Sequence, residues 1–100
     1  MPQTEQLLQQ RSDTDLAEPP RYRVVLYNDD FTTMDFVVMV LMVVFNHKLA
    51  AAEQIMMAVH RQGRGICGVY SFEVAETKVA QVRMLAEEHQ YPLRCEMEKE

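Results

Sequence analysis

One hundred residues with a net charge of −5 make a single small domain. The acidic balance and the lack of any Lys and Arg cluster exclude a phosphate backbone as the partner, so no nucleic acid is expected and a cationic or neutral ligand is favoured. Cys67 and Cys95 show no Cys-x-x-Cys spacing and no nearby His pair, so they read as buried thiols in a reducing compartment, not as zinc ligands.

No basic stretch followed by an apolar core stands at the start, so a cytoplasmic protein is expected. Met1 to Glu18 is rich in Gln, Asp, Glu and Thr, and residues 1–19 are expected to form a flexible extension ahead of a domain spanning 20–100. Pro19-Pro20 imposes an extended entry. Arg21 to Tyr27, with its run Val24-Val25-Leu26-Tyr27, predicts the first strand. Asn28 to Phe36 then turns the chain into a helix predicted from about Thr33 to Asn46. Thr32 is the expected N-cap, with Asp35 completing a capping box and Phe31 and Phe36 a hydrophobic staple. The apolar run Phe36 to Phe45 is about half the length that spans a bilayer, so it predicts a buried helix and no membrane anchor.

After Asn46-His47-Lys48, the Ala-rich segment Leu49 to Gln62 predicts a second helix, with Gly63 as its left-handed stop. Ile55, Met56 and Val59 form an apolar stripe there, and His60 lies beside it at the helix end. Arg64 to Tyr70 predicts a second strand. Ser71 is placed to cap a third helix, Phe72 to His89, which Tyr91-Pro92 ends. Leu93 to Met97 alternates as a third short strand. The order β-α-α-β-α-β predicts an α+β fold, a three-stranded antiparallel sheet with three helices packed on one face.

Residues that carry chemistry concentrate at the corner after the first strand. Asn28, Asp29 and Asp30 stand beside Met and Val, which suits a ligand with a cationic head and an apolar body, although Asn and Asp also dominate plain turns. An ammonium group has three donors, and Asn28, Asp29 and neutral His60 offer three acceptors. Met34 and Val37 from the first helix, with Met56 and Val59 from the second, supply apolar walls. An enzyme is the weaker reading. Cys67 or Ser71 with His60 and Asp29 gives the residue types of a nucleophilic triad, but Cys67 sits mid-strand with no activating corner. His47 and His60 fall in different turns, so no metal site is expected.

Five motifs in fixed order resemble the ClpS family, the bacterial adaptors of the N-degron pathway. They are Asn28-Asp29-Asp30-Phe31-Thr32-Thr33-Met34-Asp35-Phe36, Ala58-Val59-His60-Arg61-Gln62-Gly63, Ile66-Cys67-Gly68-Val69-Tyr70, Val74-Ala75-Glu76-Thr77-Lys78-Val79 and Pro92-Leu93-Arg94-Cys95. The resemblance runs from about Pro20 to Lys99. It implies a non-catalytic adaptor without cofactors that binds free N-termini beginning with Leu, Phe, Tyr or Trp and hands them to the ClpA unfoldase of the ClpAP protease, or to a ClpC-like relative.

By matching positions, the resemblance implies that Asn28, Asp29 and His60 hold the α-ammonium, while Asp30, Thr32, Met34, Val37, Met56, Val59 and Leu93 surround the first side chain. Met34 matches the gatekeeper against β-branched Ile and Val. Glu73 and Lys78 match the surface that docks on the ClpA N-terminal domain, and the N-terminal extension matches the segment engaged during delivery. Two features depart from the pattern: Thr33 stands where Pro is expected, and Met39, Met42, Val43 and Val44 make the first helix unusually apolar. A second reading is a structural interaction domain resembling the C-terminal domain of the ribosomal stalk protein. It needs no ammonium pocket, so convergence of Asn28, Asp29 and His60 on one cavity discriminates the two.

Overall fold

The computed structural model describes residues 19–100; the expected N-terminal extension lies outside the described residues, apart from Pro19. The elements follow the predicted order: β1 (Arg21–Tyr27), α1 (Met34–Val43), α2 (Leu49–Gln62), β2 (Arg64–Ser71), α3 (Phe72–Glu88) and β3 (Arg94–Lys99). The sheet is antiparallel with strand order β2-β1-β3, so the first strand is central. That position explains why Val24, Val25 and Leu26 have no exposed surface: a central strand has neighbours on both edges. Val24 and Leu26 join Cys67 and Cys95 on the face that meets the helices, and their core partners include Val37, Val40 and Leu41 of α1, Val59 of α2 and Val82 of α3. An irregularity between Val24 and Val25 shifts the β1–β2 register by one residue, as a β-bulge does.

The start of α1 differs from the expectation. Thr33, not Thr32, is the N-cap: its backbone is extended, and its hydroxyl accepts the Phe36 amide at 3.1 Å. The Thr33 side chain thus supplies a cap bond that a proline there could not make. The staple does not form. Phe36 is buried against Tyr91 and His89, with ring centroids 4.6 Å and 5.1 Å away, whereas Phe31 is 76% exposed. With the cap one residue later, Phe31 falls outside the position from which a staple reaches the helix.

The far end of α1 also comes earlier than predicted, at Val43. Val44 is its C-cap, and its carbonyl accepts from Lys78 Nζ at 2.7 Å. Asn46 then takes a left-handed conformation (φ 58°), which ends any continuation of the helix. The helix therefore stops where a lysine from α3 occupies a carbonyl that the next turn no longer serves. The helices α2 and α3 end as sequence suggested, at Gly63 (φ 88°) and around His89.

Candidate functional site

The site is built by register. Tyr27, the last residue of β1, pairs with Arg64, the first of β2, so the next residue back along β2 faces the next residue out of β1. Accordingly the Asn28 amide donates to the Gly63 carbonyl at 2.9 Å. Gly63 closes α2, and His60 lies three residues before it, in the last turn. One hydrogen bond thus ties the corner after β1 to the end of α2. Because α1 starts immediately after that corner and packs on α2, three segments, the corner, α1 and α2, close around one space.

That space is a cavity of about 250 Å³ lined by Asn28, Asp29, Asp30, Thr32, Met34, Val37, Met56, Val59 and His60. Its walls divide chemically. The corner and His60 provide oxygen and imidazole acceptors; α1 and α2 provide thioethers and branched aliphatic groups. Nine of the ten residues expected around the ammonium and first side chain are here together. The tenth, Leu93, is buried in the hydrophobic core and does not line the cavity. A structural domain of the stalk-protein kind gives no reason for such convergence.

The two aspartates of the corner differ. Asp29 Oδ1 accepts the amides of Phe31 at 2.8 Å and Thr32 at 2.7 Å, and its Oδ2 accepts the Thr32 hydroxyl at 2.7 Å. Partial burial pushes its carboxyl pKa up, but the backbone and hydroxyl donors of Thr32 and the amide of Phe31 outweigh that and hold it below the usual carboxylate value. Asp30 is exposed, and none of the side-chain hydrogen bonds among the described residues involves it. The Asp29-x-x-Thr32 spacing is the signal for this local closure, since Asp side chains bond backbone amides two and three residues on. The sequence reading had assigned Thr32 to the helix cap instead.

Gly65 of β2 shapes the site without lining it. A Cβ there would fall 2.8 Å from Val59 Cγ2 and 3.1 Å from the Ile55 carbonyl. Its absence lets β2 approach α2 closely enough to set Val59 against the cavity.

The nucleophilic alternatives have no support in the geometry. Cys67 and Cys95 are buried, and burial pushes both thiols up, Cys95 to about 12, away from the thiolate that attacks. Ser71 Oγ accepts the Val74 amide at 3.4 Å as the α3 cap. His47 Nε2 lies 2.6 Å from the Cys67 carbonyl, which accepts its proton and links the α1–α2 connection to β2. Among the described residues, no group of three or more His, Cys, Asp or Glu side chains is placed to hold a metal ion. No helix among them is long and apolar enough to cross a membrane.

The family model described as "ATP-dependent Clp protease adaptor protein ClpS" matches residues 17–96. The chain belongs to the ClpS family. A ClpS adapter protein from Syntrophus aciditrophicus is 52% identical over 84 residues, covering 84% of this chain and 78% of the relative. One from Xanthomonas oryzae pv. oryzae is 56% identical over 93 residues, covering 93% and 88%. Among solved structures, Agrobacterium tumefaciens ClpS2 bound to L-phenylalaninamide superposes with a TM-score of 0.80 at 36% identity, covering 83% of this chain and all of that one. Membership in the ClpS family fixes the fold and the order of its elements.

Proposed function

We propose that this chain is a non-catalytic adaptor that captures proteins by a free N-terminal Leu, Phe, Tyr or Trp and delivers them to the unfoldase of a Clp protease, ClpA or a ClpC-like relative. The observation that carries the reading is the two-sided cavity, with Asn28, Asp29, Asp30 and His60 on one side and Met34, Val37, Met56 and Val59 on the other. L-phenylalaninamide, the ligand of the similar ClpS2 structure, has the matching chemistry: a free amino group beside a benzyl side chain, with no free carboxylate. It stands for the first residue of a polypeptide.

Each protonated amine donor that meets a lone pair contributes about 1.5–3 kcal/mol. Burying a Leu or Phe side chain contributes about 1.5–3 kcal/mol more. Against these stands an association cost of about 4–15 kcal/mol. At the favourable end of these ranges three such bonds and one side chain leave about 8 kcal/mol, which is micromolar binding and suits a carrier that must release its cargo. Asp29 keeps its share in the ammonium site as the sequence implied, its three donors favouring the charged form, and the exposed Asp30 beside it adds a second carboxylate.

Delivery requires a second surface. Glu73, exposed in the first turn of α3, and Lys78, five residues on and half-buried with its ammonium on the Val44 carbonyl, are proposed to form it. The test is titration with three peptides that differ only at the first residue. A Phe-initiated peptide is expected to bind; its N-acetylated form and a Val-initiated form are expected to bind at least tenfold more weakly. Equal affinity for all three would overturn the reading, because acetylation removes the charge and with it the reason for the acceptors.

A further inference from the structure

The cavity is smaller than the roughly 300–1,000 Å³ of sites that take drug-sized ligands, and at about 250 Å³ it holds one residue's side chain and amino group. The rest of a bound chain therefore lies across the rim. Among the described residues, no large hydrophobic side chain is more exposed than Phe31, at 76%. Its place on that rim is fixed: its neighbours Asp30 and Thr32 both line the cavity, and its own amide is held by Asp29 Oδ1 at 2.8 Å. The ring takes part in none of the aromatic pairs among the described residues and forms no staple with Phe36. A phenyl group held in water on an ordered corner is available to a ligand.

An extended peptide points successive side chains to opposite sides, and its second Cα lies about 3.8 Å from the first. With the first side chain in the cavity, the second faces outward beside the rim, where Phe31 stands. Building on the pocket reading above, we propose that Phe31 is a specificity-determining residue for the second position of the bound chain, its ring forming a platform for an apolar or aromatic side chain.

The experiment measures affinities of the intact chain, Phe31→Ala and Phe31→Tyr for peptides that begin Phe-Gly, Phe-Leu and Phe-Trp and are otherwise identical. In the intact chain, Leu and Trp at the second position are expected to bind about three- to tenfold more tightly than Gly, the range that aromatic contacts provide. That ratio is expected to collapse toward one in Phe31→Ala and to persist in Phe31→Tyr. Equal affinities in the intact chain, or a ratio that Phe31→Ala leaves unchanged, would overturn the proposal. So would a uniform loss across all three peptides in Phe31→Ala, which assigns the residue to shaping the corner. Failure of the pocket reading looks different: the N-acetylated Phe-Leu peptide would then bind the intact chain as well as the free one.

Discussion

Thr32 binds both oxygens of the Asp29 carboxylate, its amide donating to Oδ1 and its hydroxyl to Oδ2, each at 2.7 Å. This closure holds the chain in the bend that carries Asn28 and Asp30 to the cavity, so the two adjacent aspartates have different work to do.

Asp29→Ala removes three hydrogen bonds and is expected to lower stability by about 1–2 kcal/mol, as loss of a capping acceptor does. Asp30→Asn is expected to change stability by less than about 0.5 kcal/mol and to weaken Phe-initiated peptides several-fold. The acid limb of the stability curve separates them further. The Asp29 carboxyl is held below its unfolded value, so its contribution is fully present above about pH 4 and is lost as pH falls through the lower folded value. Chemical denaturation between pH 5 and 2 should therefore show a shallower acid loss in Asp29→Ala than in the intact chain.

His60 enters the proposed site as a lone-pair donor, which only the neutral imidazole offers. His60→Phe, which keeps a ring but removes the lone pair, is expected to weaken a Phe-initiated peptide about tenfold or more, the worth of one hydrogen bond to a charged donor. His60→Gln, which keeps an acceptor, should retain more of the affinity. Equal losses in the two variants would remove His60 from contact with the ammonium group.

Gly65 couples stability to the pocket. Adding a methyl by Gly65→Ala drives it against Val59 Cγ2 and the Ile55 carbonyl, and overpacking of this kind costs about 1–3 kcal/mol. Because Val59 is a cavity wall, peptide affinity is expected to fall along with the melting temperature. A variant that melts lower yet binds the Phe-initiated peptide normally would show that Val59 yields away from the pocket.

Lys78 donates to the Val44 carbonyl at 2.7 Å and lies 5.9 Å from the Tyr70 ring centroid. Lys78→Met is expected to cost about 1–2 kcal/mol of stability, since hydrogen bonds from charged donors exceed neutral ones. Glu73→Lys, on the exposed first turn of α3, is expected to leave stability within about 0.5 kcal/mol and to weaken docking on an isolated ClpA N-terminal domain at least tenfold, with peptide affinity intact. Calorimetric titration of that domain reads both. Undiminished docking by Glu73→Lys would move the proposed partner surface elsewhere on the chain.

The linear order of residues determined the kinds of elements and their succession. Gly63 stops α2 because its φ of 88° suits a residue without a side chain, and Ser71 caps α3 with its hydroxyl on the Val74 amide. Those are local effects, decided within a few residues, and a pattern of residue types reports them. The same locality explains where the pattern misled. Thr32 and Thr33 are equivalent as cap residues in a string, and what separates them is that Asp29 had already claimed Thr32. Asn46, left-handed at φ 58°, ends α1 locally, but nothing near Val44 in the chain announces that Lys78, 34 residues away, will take its carbonyl.

The cavity belonged to tertiary structure altogether. Asn28 and His60 are brought together by the pairing of Tyr27 with Arg64 and by the bond from the Asn28 amide to the Gly63 carbonyl. Val59 reaches the same space because Gly65 leaves it room. Residue types can name the acceptors and the apolar groups that a cationic chain end requires, but only strand register and close packing decide that they face one another. Both arise from contacts between segments far apart in sequence, whose free energy is settled by the assembled core.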